Sequence, residues 1–299
     1  MRIGVITRNP QSFATSRLIK ALEDLGQEVI SFRFNDIVTY IGNEVKLLVQ
    51  GINITKELAA VVVRPLGRAS LDQALLRIDL LYALQESGIR VFNRPEAIEK
   101  CSDKFRSLYT LRMNGVPVPT TIVTERSSLA MKSLDLLNSE AIVIKPMFGS
   151  RGHGSAMIRK KERDVLWELV RSLTYHRHVT YLQEFIRHGG VDLRIFVLGN
   201  QVLAAMYRKA PPSTWKTNIA QGGAPIRVDK LDPEVEAVAL KAASILRCDI
   251  AGVDIAVVNG RPVVFEVNSQ PDWRGLQSVY PDKDIAFEIA KYIVDSIKR

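Results

Sequence analysis

The first 92 residues alternate between strand and helix patterns, and this alternation restricts the fold more than any other feature of the chain. Short apolar runs typical of buried strands stand at four places, residues 3–7, 29–32, 59–63 and 89–92. Apolar residues at helical spacing lie between them, with Ser70 as the expected N-cap of the longer helix and Gly88 as its end. Such alternation indicates a parallel sheet covered by helices, so residues 1–93 are predicted to form a small α/β domain. A dinucleotide site is unsupported there, because GxGxxG is absent.

The rest of the chain mixes strand and helix patterns. Asn93-Arg94-Pro95 ends the first pattern, and Ser102-Asp103-Lys104 starts a new helix with a capping residue. Beyond an extended linker at residues 116–119, strand-like segments alternate with helix patterns near residues 126–138, 161–173, 232–246 and 283–298. A chain of 299 residues is long enough for two or three packed units, at roughly 150 residues per domain.

Composition and charge narrow the class of partner. The chain is 46% hydrophobic and 24% charged, and its apolar runs are shorter than the ~20 residues of a membrane span. Because the first residues enter a strand pattern without a signal peptide, we expect a cytoplasmic protein with no membrane partner. The net charge of +9 favours an anionic partner, but the basic residues are scattered, so nucleic acid is not expected. Cys101 and Cys248 match neither a disulfide framework nor a zinc pattern, which favours two buried thiols.

Acidic residues interrupt two apolar runs near the C-terminus. The turn Asn259-Gly260 separates these runs and is a strong hairpin signal. Antiparallel pairing brings Asp254 near the end that carries Glu266 and Asn268, which share one face of their strand. Two carboxylates and an amide oxygen among apolar residues favour Mg²⁺, with substrate phosphates completing its octahedron. Alternatively, the acids lie on the solvent face of an edge hairpin, although an unpaired charge within an apolar run is costly.

A lysine and a glycine-rich loop follow another apolar strand. Lys145 ends the run 142–144, and glycines follow at 149, 152 and 154. Backbone N–H groups of such a loop can surround phosphates, to which the lysine adds positive charge. The P-loop pattern GxxxxGK[ST] is absent, and a strand rather than a helix follows. The alternative is an ordinary glycine-rich hairpin with a surface lysine.

Two further segments carry weaker signals. Residues 180–186 form an extended run whose backbone can pair with an adenine, and the carboxylate of Asp192 follows as an acceptor for ribose hydroxyls. Arg208 and residues 215–218 place cations and an amide near a glycine pair, which suits the charge on a transferred phosphoryl group. Taken alone, the first segment looks like many strand-and-turn segments, and the second is by default a solvated basic loop.

In their order and spacing these segments resemble the ATP-grasp superfamily, and most closely its RimK-like branch of glutamate ligases. Four signatures carry the resemblance: Asp103-Lys104-Phe105-Arg106-Ser107, Gln183-Glu184-Phe185-Ile186, Ala251-Gly252-Val253-Asp254-Ile255 and Glu266-Val267-Asn268-Ser269. Val63-Arg64-Pro65 in the first domain is also similar to this branch. The resemblance implies an α/β fold in which the N-terminal domain precedes two α+β subdomains that clamp ATP between them. Their expected bounds are residues 94–182, with the glycine-rich lid loop, and residues 183–299, with the metal site.

The resemblance also implies roles for individual residues. The residues expected to contact ATP are Lys104, Lys145, Gly149, Gly152, Gly154, Gln183, Glu184, Phe185, Ile186, Asp192, Lys216, Thr217 and Asn218. Two Mg²⁺ or Mn²⁺ ions would be held by Asp254, Glu266 and Asn268. Arg208 would be the catalytic cation that steadies an acyl-phosphate and the tetrahedral intermediate formed from it.

The activity implied by the resemblance is an ATP-dependent ligase that adds L-glutamate to an acceptor carboxylate and releases ADP and phosphate. The acceptor would be a cofactor, such as a tetrahydromethanopterin-type pterin or a deazaflavin, or a protein C-terminus. Where the branch has a Pro-Gly pair, this chain has Pro271-Asp272, followed by Trp273 and Arg274. These two side chains would add a stacking surface and a carboxylate clamp, and with Arg64 they are the candidate substrate residues. Alternatively, Trp273 only packs the loop.

Two other classes of function remain open. The chain would be another ATP-grasp amino-acid ligase, such as a lysine-biosynthesis carrier-protein ligase or a D-alanine–D-alanine ligase, or a non-catalytic protein that binds nucleotides or nucleic acid. The presence of all three metal ligands favours an enzyme. A homo-oligomer is implied by the resemblance alone.

Overall fold

The first part of the chain folds, as predicted, into a parallel sheet covered by helices. The computed structural model describes residues 1–149 and 154–298. Its first elements are β1 (Arg2–Ile6), α1 (Phe13–Asp24), β2 (Glu28–Phe32), β3 (Ile37–Ile41), β4 (Val45–Val49), β5 (Ile52–Asn53), α2 (Ile54–Glu57), β6 (Ala60–Val63), α3 (Leu71–Glu86) and β7 (Arg90–Phe92). The parallel sheet has the order β2-β1-β6-β7. Ile3 and Val5 of its central strand β1 are fully buried.

A small antiparallel sheet of β3, β4 and β5 is inserted after β2 and was not expected from the sequence. Its strands pair from Ile37 opposite Val49 to Ile41 opposite Val45. Leu47 and Val49 are buried in the core of this part of the chain, yet Val38 on the other face is 62% exposed. Because apolar residues stand on both faces, the segment lacks the alternation by which a half-buried strand is recognised.

Helix α3 starts where the sequence predicts, but only its second half is buried. Ser70 and Gln73 form a capping box, in which the Ser70 side chain accepts from the Gln73 N–H. Leu80, Leu81 and Leu84 are buried, whereas Leu71 and Leu75, which lie at helical spacing with Leu81, are exposed. In the first two turns of α3, apolar residues at helical spacing are exposed, so the spacing there does not indicate a buried face.

The central part of the chain forms an antiparallel sheet. Its elements are α4 (Pro95–Ser102), α5 (Lys104–Met113), β8 (Thr121–Thr124), α6 (Ser127–Lys132), β9 (Ala141–Ile144), β10 (Ala156–Arg159), α7 (Arg163–Tyr175) and β11 (Thr180–Glu184). The sheet order is β10-β9-β11-β8. Asp103 caps α5 by accepting from two backbone N–H groups, which sets Lys104 at the first helical position. Strand β11 continues past the boundary expected after residue 182, because its pairing with β9 extends to Glu184.

The C-terminal part carries a five-stranded antiparallel sheet and three helices. Its elements are β12 (Val191–Leu198), β13 (Gln201–Lys209), β14 (Ala224–Arg227), α8 (Pro233–Ile245), β15 (Ile250–Val258), β16 (Arg261–Asn268), α9 (Arg274–Val279) and α10 (Ile285–Lys298). The strand order is β14-β13-β12-β15-β16. One face packs on α8 through apolar residues such as Ile195, Val253 and Ala239. Among the helices in the described ranges, none is both long and apolar enough to span a membrane.

The other face of this sheet is divided into an apolar end and a charged end. At the apolar end, Phe196 and Met206 belong to one core cluster with Leu18 of α1 and Ile289 of α10. Helix α10 therefore joins the C-terminal sheet to the N-terminal sheet through a shared core. At the other end, the same alternation places charged residues of four neighbouring strands, β12, β13, β15 and β16, side by side.

Candidate active site

Cross-strand pairing brings the two predicted metal-binding acids together. Strands β15 and β16 are joined by Asn259 and Gly260, whose φ angles of 52° and 76° are those of a tight hairpin turn. In the resulting register, Asp254 lies directly opposite Glu266. Asn268, two residues beyond Glu266, projects from the same face. The predicted hairpin is confirmed. Asp254 and Glu266 line one cleft, whereas Asn268 is not among the described residues that line it.

A bulge in β16 adds an aromatic side chain to the site. Asp254 pairs with Glu266, but the next residue, Ile255, pairs with Val264. Phe265 is therefore left unpaired, and Phe265 and Glu266 both line the same cleft. Regular alternation would send these neighbours to opposite faces, and a bulge redirects one of them. Because the sequence carries no clear signal for this bulge, Phe265 was missed.

Buried guanidinium groups connect the acids into an ion-pair network. Arg208 donates from Nε and Nη2 to the two carboxylate oxygens of Asp192, at 2.8 and 2.6 Å. The same Nη2 lies 3.1 Å from Asp254 Oδ2. Thr217 donates its hydroxyl to Asp192 Oδ2 at 2.7 Å. Arg194 adds a bidentate pair with Asp254, through Nε to Oδ1 and through Nη2 to Oδ2 at 2.9 Å.

Two residues of the network differ from the sequence-based expectation. Asp192 was expected to meet ribose hydroxyls, yet both of its oxygens already accept hydrogen bonds, so a ribose would have to share them. No role was predicted for Arg194, which lies opposite Asp254 on β12. A signal was available, because Arg194 stands two residues after Asp192 and so shares its face of the strand.

The network determines the charge of its members. Burial alone would raise the pKa of the Asp254 carboxyl, but the guanidinium groups of Arg194 and Arg208 outweigh burial and hold that pKa below its ordinary value. Burial would lower the pKa of Arg208, whereas Asp254 and Asp192 raise it above its ordinary value. At neutral pH the site therefore presents an ionised carboxylate and a fixed cation.

Two lysines face the acids from the central sheet. Lys145 follows β9 and donates from Nζ to Gln183 Oε1 at 2.6 Å, and Lys104 donates from Nζ to Gly149 O at 2.7 Å. Burial lowers the pKa of Lys145 to about 8, and the nearby Glu266 opposes this shift. Burial also lowers the pKa of Lys104, again opposed by Glu266. Both ammonium groups therefore interact with Glu266 across the cleft, and that of Lys145 also with Asp254.

The end of β11 forms a second wall of the cleft. The Glu184 N–H donates to Thr120 O at 2.9 Å, and the Phe185 N–H donates to Ala141 O at 3.0 Å. The Glu184 carboxylate also accepts the Thr120 N–H at 2.8 Å. The amides of Glu184 and Phe185, expected to meet an adenine, are thus used within the protein. The next amide toward the cleft is that of Ile186.

Aromatic rings surround this wall. Phe185 lies 5.8 Å from Trp215 and 5.8 Å from His188, measured between ring centroids, and His188 lies 6.0 Å from Phe265. Burial lowers the pKa of His188, although Asp192 opposes the shift, so the ring is mainly neutral at pH 7. Such a group of flat, uncharged side chains suits a planar aromatic ligand. His188 and Trp215 were not identified from the sequence.

The loop that carries Lys216, Thr217 and Asn218 closes this side of the cleft. Thr217 is anchored through its hydroxyl to Asp192. Gly223 packs directly against the loop, since a Cβ at this position would lie 2.0 Å from the Thr217 carbonyl oxygen. Only glycine fits there, which explains one of the two glycines of the predicted pair.

Most of the predicted site residues line one cleft between the central and C-terminal sheets. Those brought together are Lys104, Lys145, Gly149, Gln183, Glu184, Phe185, Ile186, Asp192, Arg208, Lys216, Thr217, Asn218, Asp254 and Glu266. Gly154 is not among the described residues that line it, but lies beside Pro146, which does. Gly152 lies outside the described residues.

Arg64, a predicted substrate residue, is a buried cation at the carboxyl end of β6. It is 6% exposed, donates from Nη2 to Pro271 O at 3.2 Å, and lies 4.6 Å from the ring centroid of Trp273. Burial lowers the pKa of its guanidinium to about 10, and Asp272 offsets only part of this effect. Within the described residues, its Nε has no hydrogen-bond partner. A guanidinium with a free N–H can donate a hydrogen bond to a carboxylate.

The structure corrects the expectation for Trp273. Its ring is only 1% exposed and lies edge-on to Phe196 at 6.3 Å, so it offers no open surface for stacking. The side chain packs the loop, as the alternative interpretation held. Arg274 is exposed, but its guanidinium lies over the Phe13 ring at 5.2 Å and not among the residues that line the cleft. Both side chains therefore secure the segment after β16 to neighbouring elements.

The donor atoms of the acidic pair fit a magnesium ion. Asp254 and Glu266 supply two carboxylates, and Asn268 donates its amide N–H to Gly252 O at 3.3 Å, which leaves its amide oxygen for an ion. In residues 1–149 and 154–298, no group of three or more His, Cys, Asp and Glu side chains is placed to hold a metal. The protein thus offers a few hard oxygen ligands, the arrangement in which Mg²⁺ depends on phosphates to complete its octahedron.

Comparison with known proteins establishes the family. Residues 101–297 match the model of the RimK-like ATP-grasp domain. The chain is 31% identical over 304 aligned positions to a probable alpha-L-glutamate ligase 2 of Hahella chejuensis, covering 99% of this chain and 96% of that protein. It is 30% identical to the tetrahydromethanopterin:alpha-L-glutamate ligase of Methanosarcina acetivorans, over 85% of this chain and 82% of that protein. The chain belongs to the RimK-like ATP-grasp family.

Solved structures share the fold over the whole chain. D-cycloserine synthetase DcsG superposes on this chain with a TM-score of 0.76 at 18% sequence identity. The superposition covers 99% of this chain and 100% of the DcsG chain. The ATP-grasp ligase PsnB, solved with a minimal precursor variant, Mg and ADP, superposes with a TM-score of 0.72 at 20% identity, over 100% of this chain and 98% of its own. The expected ATP-grasp fold is confirmed. Family and fold together define this protein as an ATP-grasp carboxylate–amine ligase.

Proposed function

We propose that the protein uses ATP to join L-glutamate to an acceptor carboxylate through an acyl-phosphate, releasing ADP and phosphate. The observation that carries this proposal is the opposition of the Asp254–Glu266 pair to three cations, Lys104, Lys145 and Arg208. This arrangement suits a metal-bound triphosphate, whose transfer requires positioning and charge neutralisation. Glutamate is proposed because relatives at about 30% identity are named alpha-L-glutamate ligases.

ATP would lie between the sheets of the proposed units 94–182 and 183–299. The aromatic group around Phe185 would hold the adenine, and the Ile186 amide would pair with its ring edge. Lys104 and Lys145 would meet the phosphates together with the 149–154 loop. The ribose would share the Asp192 carboxylate with Arg208 and lie near the 216–218 loop.

Mg²⁺, or Mn²⁺ in its place, would be held by Asp254, Glu266 and Asn268, in a site for two ions. When bound, such ions neutralise negative charge on the phosphoryl group during transfer. Asp254 would share its carboxylate with Arg194 and Arg208, so the guanidinium groups fix the orientation of this ligand. Its lowered pKa keeps it ionised, as a metal ligand must be.

The chain's own residues would position the reacting groups. A carboxylate oxygen of the acceptor attacks the γ-phosphorus of ATP, and ADP leaves. The glutamate amine then attacks the acyl carbon, the bond from that carbon to the phosphate-bearing oxygen breaks, and phosphate leaves with that oxygen while the amine loses a proton. Arg208 cannot reorient, because Asp192 and Asp254 hold it, so it offers preorganised positive charge to both anionic stages.

The acceptor would be an anionic cofactor, such as a tetrahydromethanopterin-type pterin or a deazaflavin, or the C-terminus of a peptide. Arg64 supports an anionic acceptor, because it is buried, carries an unpartnered Nε and faces the segment after β16. The net charge of +9 would also attract such a molecule. Because Trp273 is buried, it offers no stacking surface for the ring of a pterin or a deazaflavin.

An ADP-release assay tests this proposal. Purified protein with ATP and Mg²⁺ is supplied with each candidate acceptor and with L-glutamate, 2-aminoadipate or D-alanine. We expect ADP release with L-glutamate and one acceptor class, and its loss in Glu266→Gln. Glu86→Gln, the same charge change at an exposed residue of α3, should retain full activity. Release with another amine alone would indicate a different ATP-grasp ligase, and no ADP under any amine would support a non-catalytic nucleotide-binding protein.

A further inference from the structure

The two cysteines of the chain, which lie far apart in sequence, meet in the fold. Cys101 is in the last turn of α4, and Cys248 lies between α8 and β15. Their sulfur atoms are 3.5 Å apart, although 147 positions separate them. An adjacent ion pair, in which Arg247 lies 3.0 Å from Glu96 of α4, holds the two segments together. Neither cysteine lines the proposed ATP cleft.

We propose that Cys101 and Cys248 form a reversible disulfide when the protein meets a low-molecular-weight disulfide such as oxidised glutathione. The Cys101 thiolate attacks one sulfur of the oxidant, forming a mixed disulfide and releasing one thiolate. The Cys248 thiolate then attacks the Cys101 sulfur and releases the second. The two protein thiols lose two protons and two electrons, and the oxidant becomes two thiols. A dithiol reductant reverses both steps.

The surroundings of the pair favour this order of attack. Cys101 is partly exposed, whereas Cys248 is 5% exposed. The hydrogen bond with Cys101 and burial both raise the pKa of Cys248, which disfavours its thiolate, so the more exposed Cys101 is the accessible nucleophile. Cys248 lines a second, open cleft together with the cations Arg94, Lys241 and Arg247 and the acid Asp249, so positive charge is in excess there. These cations would attract an anionic disulfide to the pair.

The Cys101–Cys248 pair lies close in sequence to residues of the proposed ATP and metal site. Cys101 stands three residues before Lys104, and Cys248 stands six residues before Asp254. A disulfide would therefore tie together the two segments that lead to a proposed phosphate ligand and a proposed metal ligand. In a reducing compartment, such a bond would be transient and would respond to the redox state. This inference is independent of the acceptor and of the ligase reaction.

Alkylation and intact-mass measurement test the proposal on the full chain. The protein is incubated under native conditions with excess oxidised glutathione, then treated with N-ethylmaleimide in denaturant. We expect protein that has lost two hydrogen atoms and takes up no N-ethylmaleimide, and that takes up two after reduction. Closing a loop of this length should also raise the midpoint of thermal unfolding by roughly 5 °C or more.

The single-cysteine variants supply the controls. Cys101→Ala, or Cys101→Ser if the first fails to fold, should form no internal bond and show no rise in thermal midpoint on oxidation. Cys248→Ser should carry at most one glutathione adduct, on Cys101. The proposal is overturned if both wild-type cysteines remain open to alkylation after oxidation, or if each carries a separate adduct.

Discussion

The buried pair of Asp192 and Arg208 offers a quantitative test of how the site is held. Asp192→Asn keeps the side-chain shape but replaces one acceptor oxygen with a donating amide. Arg208 contacts the two carboxylate oxygens at 2.8 and 2.6 Å in the wild-type protein. In the variant, the amide group faces an Arg208 N–H at one of these contacts, so two donors oppose each other. Breaking a buried ion pair costs about 3–5 kcal/mol. Because Arg208 keeps its contact with Asp254, we expect the lower end of this range, about 3 kcal/mol.

Thermal unfolding followed by circular dichroism measures this cost. At roughly 2 °C per kcal/mol for a chain of this size, Asp192→Asn should lower the midpoint by about 6 °C. Thr217→Val is the matched control, since it removes only the hydroxyl that donates to Asp192. It should cost about 1 kcal/mol and therefore roughly 2 °C. An Asp192→Asn midpoint no lower than that of Thr217→Val would refute the structural role given to the ion pair.

Three further perturbations test the two binding regions. Because the pKa of Lys145 is lowered to about 8, it loses its charge as pH rises through that value, and KM for ATP should increase between about pH 7 and 9. Lys145→Arg stays charged and should show no such increase in steady-state kinetics, so an equal increase would contradict the assignment. Gly223→Ala would place a Cβ 2.0 Å from the Thr217 carbonyl oxygen and should displace the 216–218 loop, raising KM for ATP by about tenfold; an unchanged KM would contradict this. Arg64→Met should raise KM for the acceptor by about tenfold and leave KM for ATP unchanged. It should not lower the thermal midpoint, because it removes a buried cation whose desolvation is costly. Equal changes in both KM values would show that Arg64 acts on the fold and not on the acceptor.

The sequence was enough to predict those elements whose conformation depends on neighbouring residues in the chain. The turn Asn259-Gly260 imposes a hairpin through its backbone conformation alone, so the pairing of Asp254 with Glu266 could be predicted. The cap at Ser70 and the parallel sheet of the first 92 residues followed in the same way. The small sheet at residues 37–53 could not be recognised, because its apolar residues stand on both faces and hide the period of two.

The parts of the site that depend on tertiary contacts could not be predicted. The bulge that turns Phe265 into the cleft depends on pairing between two strands, and no local residue pattern announces it. The burial of Trp273 results from packing between the C-terminal sheet and the N-terminal unit, and it reverses the role expected of an aromatic residue in a loop. Similarly, the approach of Cys101 to Cys248 joins segments that sequence spacing treats as unrelated.

The wider aromatic group shows the same limit. Trp215 and His188 can be recognised as site residues only once the fold brings β11, β16 and the loop before β14 to one cleft. The family resemblance identified the residues of that cleft that its signatures carry, such as Lys145 and Glu266. It gave no role to Arg194, whose contribution is to hold the Asp254 side chain.

We propose that the site activates a carboxylate by phosphorylation before the amine attacks, and isotope labelling can test this order. The most direct measurement uses the acceptor that supports ADP release, labelled with ¹⁸O in both carboxylate oxygens, and mass spectrometry of the phosphate formed with L-glutamate present. The acyl-phosphate route predicts one ¹⁸O atom in each phosphate, because the departing phosphate takes one carboxylate oxygen with it. Unlabelled phosphate, formed at the same rate as the amide product, would contradict the claim.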